Sequence, residues 1–122
     1  MEHLGIVVTE IGTDYIIGTM PVDHRTHQPL GMLHGGASVV LIESLGSVGS
    51  SLLVDLNERY PVGLEVNANH IGGIREGFVQ ATARIIHTGK TTHVWSVDVC
   101  ELGSNRLICT GRLTVMVVEK KK

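Results

Sequence analysis

A chain of 122 residues that is 43% hydrophobic suffices for one domain, and with only four aromatic side chains (Tyr15, Tyr60, Phe78 and Trp95) its core must be aliphatic. Ten basic and twelve acidic residues leave a formal charge of -2, so no global basic field exists to recruit nucleic acid. The start, Met1-Glu2-His3-Leu4, lacks a signal peptide's basic and apolar regions, and the longest apolar stretch, Ala37 to Leu56, contains Glu43 and Asp55, which argues against a membrane span.

In chain order, Ile6 to Ile11 reads as a strand that ends at the turn cluster Gly12-Thr13-Asp14, and Tyr15 to Val22 as a second strand closing a hairpin. Asp23 to Gly31 is a polar loop containing Pro29, long enough to suggest function. Gly35 to Leu56 carries apolar residues nearly all round, the mark of a buried helix, and its small residues Gly46, Ser47, Gly49 and Ser50 would let another helix approach. From Pro61 onward the period becomes two. Val79, Ala81, Ala83 and Ile85 share one face, as do Trp95, Val97 and Val99, and then Leu107, Cys109, Leu113, Val115 and Val117. Turns at Arg75-Glu76-Gly77, Thr88-Gly89-Lys90 and Gly103-Ser104-Asn105 predict three consecutive hairpins. Cys109 falls on the apolar face and Cys100 on the other, so two free thiols in a reducing, cytoplasmic setting are expected rather than a disulfide. The tail Glu119 to Lys122 reads as a solvated end. No repeat or linker interrupts residues 1–122, which form a single domain of the α+β class: a curved antiparallel sheet wrapped around one long central helix, the hotdog arrangement.

Glu43 is the only charged residue between Gly35 and Val54. A carboxylate in an apolar helix must be paired, protonated or used, and burial would raise its pKa. His34-Gly35-Gly36 stands at the helix start, where free N–H groups and the positive end of the helix dipole can hold a developing oxyanion. Gly35 and Glu43 are eight positions apart, about 12 Å of helix at ~1.5 Å per residue. One carbonyl carbon cannot reach both groups in one chain, so a shared reaction requires a twofold dimer with two composite sites. None of the seven histidines shows metal-site spacing, so no metal and no cofactor is expected.

The run from Met20 through Gln28, His34-Gly35-Gly36 and Glu43, followed by Val62-Gly-Leu-Glu-Val-Asn-Ala-Asn-His70, resembles hotdog thioesterases of the hydroxybenzoyl-CoA type. Among these it is most similar to bacterial acyl-CoA and 1,4-dihydroxy-2-naphthoyl-CoA hydrolases and to the relative that clears misloaded aryl carrier proteins. The resemblance implies hydrolysis of an acyl- or aryl-CoA thioester by a homodimer, paired further into a tetramer. It also implies roles. Glu43 would be nucleophile or general base, and the Gly35 N–H of the opposite subunit the oxyanion donor. Gln28 and His34 would position the thioester and its loop, and Ser47 would sit near the acyl group or the attacking water. Gly36 and His70 would contact the substrate, and the turn around Lys90, Thr91 and Thr92 would face the CoA phosphates. Where relatives carry an Arg after the Asn-His pair this chain has Gly72-Gly73, with Arg75 as a possible substitute. Two other readings stay open: a hydratase or dehydratase using His34 with Glu43, and a non-catalytic acyl-CoA-binding module.

Overall fold

A computed structural model describes residues 1–121. After a short 3-10 turn at Glu2–Leu4 come strands β1 (Val7–Ile11) and β2 (Tyr15–Val22), helix α1 (Gly35–Ser51), and strands β3 (Arg59–His70), β4 (Gly77–Thr88), β5 (Thr92–Glu101) and β6 (Leu107–Glu119). The strands form one antiparallel sheet in the order β1-β2-β4-β5-β6-β3, curved around α1. The period-two reading is borne out through the middle of the strands, whereas Ile85 and Leu107 are only half-buried and Ile108, of the opposite parity, is buried. Val79, Ala81, Ala83, Trp95, Val97, Val99, Cys109, Leu113 and Val115 are all buried and meet Leu41, Ile42 and Leu45 of α1, together with Ile16 and Met20 of β2. Cys109 lies in this core and Cys100 half-buried on the opposite face, both as free thiols. No described helix is long and apolar enough to cross a membrane.

Three expectations need correction. The helix stops at Ser51 rather than Leu56. The Ser51 hydroxyl donates back to the Val48 carbonyl at 2.6 Å, Leu52 N–H is shared between the Val48 and Gly49 carbonyls, and a turn capped by Asp55 leads into β3. Such back-bonding by serine competes with helix propagation. Second, only two of the three hairpins exist. β3 pairs not with β4 but with β6 at the far side of the sheet, and β4 pairs with β2. The segment after His70 crosses between them, pinned by the Ile71 and Gly72 N–H groups on the Ile108 carbonyl and by buried Ile74. Alternation marks which face a residue takes, not which strand lies beside it.

Third, α1 is not buried all round. One face (Ala37, Ser38, Leu41, Ile42, Leu45, Gly46, Gly49, Ser50) lies on the sheet, and the opposite face, including Val40 and Glu43, is exposed. The small residues at Gly46 and Gly49 therefore serve the chain's own sheet, not a neighbouring helix. A Cβ at Gly49 would stand 2.6 Å from Cη2 of Trp95, and one at Gly46 would run into Leu113. Ser50 completes this contact. Its fully buried hydroxyl accepts from Trp95 Nε1 at 2.8 Å and lies 2.9 Å from Nδ1 of buried His93. Trp95 can only donate, so the serine proton is free for His93. Burial, with Arg59 and His87 nearby, holds His93 below its ordinary pKa of 6.5, consistent with a neutral acceptor.

Candidate active site

The start of α1 is set by the loop before it. Thr26, buried, donates to the Pro21 carbonyl at 2.8 Å, and its own carbonyl accepts the His34 N–H at 2.7 Å. Gln28 holds the loop tip. Its backbone bonds to Met32 (2.7 Å) and Gly31 (3.0 Å), and its Oε1 accepts from Leu30 N–H. Gly31 takes φ 81°, the left-handed region that favours glycine. The crossing segment clamps the other side: Leu33 N–H donates to the Ile74 carbonyl at 2.8 Å, Arg75 to that of Leu30 at 3.2 Å, and His27 Nε2 to that of Arg75 at 2.8 Å.

His34 is the N-cap. With ψ 132° it is extended, and its Nδ1 accepts the Gly36 N–H at 2.8 Å, which puts the ring proton of the neutral imidazole on Nε2. The Gly36 amide is thereby used, and the His34 carbonyl accepts from Ala37 and Ser38. The Gly35 N–H donates to no group among the described residues. It points out of the positive end of α1, whose first turn carries no acidic residue. His70, at the end of β3, lies against the Cβ side of Gly35: a Cβ at position 35 would meet His70 Nε2 at 2.9 Å. Glycine at 35 is thus what lets the imidazole pack against the start of α1. Only the crossing of β3 to the edge beside β6 brings His70 there.

Glu43 stands two turns along, about 12 Å from Gly35 on a continuous helix at ~1.5 Å per residue. Within one chain it is exposed, where burial had been expected, because position 43 lies opposite the face that packs on the sheet. Its carboxylate rests against Gly63 of β3. Ser47 follows one turn later on the same outward face, half-exposed. Lys90 and Thr91 sit in the β4–β5 turn and Thr92 opens β5, at the other end of α1 beside His93 and Ser50, so a single chain does not gather them with Gly35. The Lys90 carbonyl accepts from Arg59 at 3.2 Å, and the Thr91 carbonyl from Val117 at 2.8 Å. Arg59, Lys120 and Lys121 share an open depression of about 550 Å³ with Glu58 and Glu119. Sequence reading missed these cations, since the tail looked like a solvated end. Among the described residues no cluster of His, Cys, Asp and Glu is gathered that could hold a metal ion.

Known proteins agree with this architecture. The thioesterase superfamily profile matches residues 30–108. The 1,4-dihydroxy-2-naphthoyl-CoA hydrolase of Escherichia coli is 46% identical over 94% of this chain and 83% of its own length. A thioesterase of Pseudomonas aeruginosa, solved with a glutamine replaced by alanine, is 51% identical and superposes with a TM-score of 0.95 over 98% of this chain and 85% of that one. A thioesterase of Staphylococcus aureus is 40% identical with a TM-score of 0.92, each chain covered to 96%. It too was solved with a glutamine replaced by alanine, and separately with a glutamate replaced. The chain belongs to the thioesterase superfamily and is a hotdog-fold thioester hydrolase.

Proposed function

We propose that the protein hydrolyses acyl- or aryl-CoA thioesters at two composite sites of a homodimer. The observation that carries this reading is the division of labour at the helix start: His34 takes the Gly36 amide and leaves the Gly35 amide free, with an exposed Glu43 about 12 Å beyond it at ~1.5 Å per residue. The Gly35 N–H polarises the thioester carbonyl, a donor worth about 10²–10³ in kcat. Glu43 of the partner subunit then acts in one of two ways. It attacks the carbonyl carbon, the C–S bond breaks, CoA leaves as thiolate and takes a proton, and water cleaves the resulting anhydride. Alternatively it removes a proton from a water that attacks directly.

Several features support the arrangement. β3 is an edge strand of 12 residues with Val62 and Leu64 exposed, a surface that a second copy would cover by antiparallel pairing. Such pairing runs the two helices in opposite directions. In the Staphylococcus aureus thioesterase the two replaced positions are 15 apart, the separation of Gln28 and Glu43 here. With Gln28 Oε1 engaged by Leu30, the amide's two N–H groups are left to face the thioester. His70 and Gly36 border the carbonyl, Ser47 the water or acyl group, and the Lys90-Thr91-Thr92 turn the CoA phosphates. The hydratase reading needs His34 as an acid–base partner, whereas its ring works as a helix cap.

The test uses two variants and subunit exchange. Glu43→Ala removes the carboxylate. Gly35→Pro removes one N–H, at a helix position and after an extended residue that both accept proline, while its Cβ displaces the exposed His70 ring, for which Gly35→Ala, keeping the N–H, is the control. Glu43→Ala and Gly35→Pro are each expected to abolish thiol release from a CoA thioester, and mixing them should restore about a quarter of wild-type turnover, because heterodimers hold one intact composite site. Full activity of Glu43→Ala, or no restoration on mixing folded variants, would refute the proposal.

A further inference from the structure

Glycine inside a strand weakens it and commonly marks a bulge or a close approach. Gly63 is at both. The β3–β6 ladder slips between Gly63 and Glu65, leaving Leu64 as the extra residue. Gly63 is not among the residues with positive φ, so no backbone conformation demands glycine there. A close approach does. A Cβ at position 63 would fall inside 3.0 Å of Glu43 Oε2, closer than real Cβ atoms come to any neighbour. The next nearest atoms are Cδ of Glu43 at 3.5 Å and its Cγ at 4.0 Å. All three nearest atoms thus belong to the end of one side chain.

We propose that Gly63 is a positioning residue for Glu43: the missing Cβ beside the β3 bulge is the seat that fixes the carboxylate on the outward side of α1. The inference rests on the catalytic role assigned to Glu43 above. An exposed glutamate has several rotamers open to it, and a carboxylate that must meet a carbonyl carbon needs one of them held. Gly63 supplies the hold by shape alone, with the β3 backbone behind it. A methyl there would drive Oε2 back by about 1 Å to reach ordinary contact, a misplacement of the size that costs ~100-fold in rate.

The experiment measures kcat, KM and the melting temperature for Gly63→Ala, Glu43→Ala, Glu43→Asp and the Gly63→Ala/Glu43→Asp pair, using thiol release from a CoA thioester. Gly63→Ala should lower kcat by ~100-fold with KM and melting temperature nearly unchanged. Aspartate withdraws the carboxylate by one methylene, so Glu43→Asp should lose far less in the Gly63→Ala background than in the native one, a coupling that damage to the strand would not produce. An inactive Glu43→Ala beside a fully active Gly63→Ala would overturn the seat alone. A Gly63→Ala variant that loses activity with its melting temperature, and shows no coupling to Glu43→Asp, would also overturn it. Wild-type turnover by Glu43→Ala would remove the catalytic reading and the seat with it.

Discussion

Ser50→Ala tests how α1 is fixed on the sheet. The Ser50 hydroxyl is fully buried and serves two buried partners, Trp95 Nε1 at 2.8 Å and His93 Nδ1 at 2.9 Å. Alanine leaves the indole N–H without an acceptor and the imidazole without its partner. A buried donor left unpaired costs about 1–3 kcal/mol. Alanine's better helix propensity returns about 0.5 kcal/mol. The net loss is about 1.5 kcal/mol, a fall of about 6 °C in melting temperature for a domain of this size. Trp95 is the only tryptophan, so its fluorescence reports both the local change and global unfolding. Ser47→Ala, on the outward face, is the control and should melt with wild type. A Ser50→Ala protein that melts with wild type and keeps its indole emission would show that the network contributes nothing.

Other consequences follow from the same packing and from the sheet edge. Gly49→Ala should destabilise by about 1–2 kcal/mol despite better helix propensity, because the Trp95 ring it would strike is tethered through Nε1, while Gly46→Ala should be milder, since Leu113 can change rotamer; urea midpoints compare the two. His93 is held below its ordinary 6.5, so on acidification the unfolded chain takes that proton first. Its contribution is therefore complete above pH 6.5 and lost as pH falls from there toward the folded pKa, and the decline in urea midpoint from pH 7 to 5 should flatten in His93→Gln. Leu64→Lys puts a charge on the free edge of β3 and should halve the mass measured by light scattering, with turnover lost in parallel.

What was legible in the sequence divides by physical cause. Alternating apolar residues revealed β4, β5 and β6 almost to the residue, because every second side chain of a half-buried strand reports its face. The same signal is silent about neighbours. Nothing in Arg75-Glu76-Gly77 distinguishes a hairpin from the end of a crossing, so the position of β3 beside β6 was lost. His70 went with it: its place in the pattern was visible, but its seat against Gly35 exists only because β3 lies on the edge beside β6. Gly63 was invisible for the same reason, since its function is to lack a side chain opposite a helix 20 positions earlier.

The apolar character of α1 led to the opposite error, and the error is informative. Val40 is exposed alongside Glu43 and a half-exposed Ser47, yet neither it nor half-buried Val39 meets the chain's own sheet as Leu41 and Ile42 do. A surface helix normally turns charged residues to water on that side. This one turns a single glutamate and a strip of small or apolar residues, next to an edge strand that exposes Val62 and Leu64. Both features have one remedy, a second copy that covers helix and strand together, and the separation of Gly35 from Glu43 asks for the same thing on chemical grounds. Composition suited to an interior, found on the outside of a chain, points to an interior completed by association; on that argument the candidate groups were readable from one sequence, while the site proposed for them would belong to two.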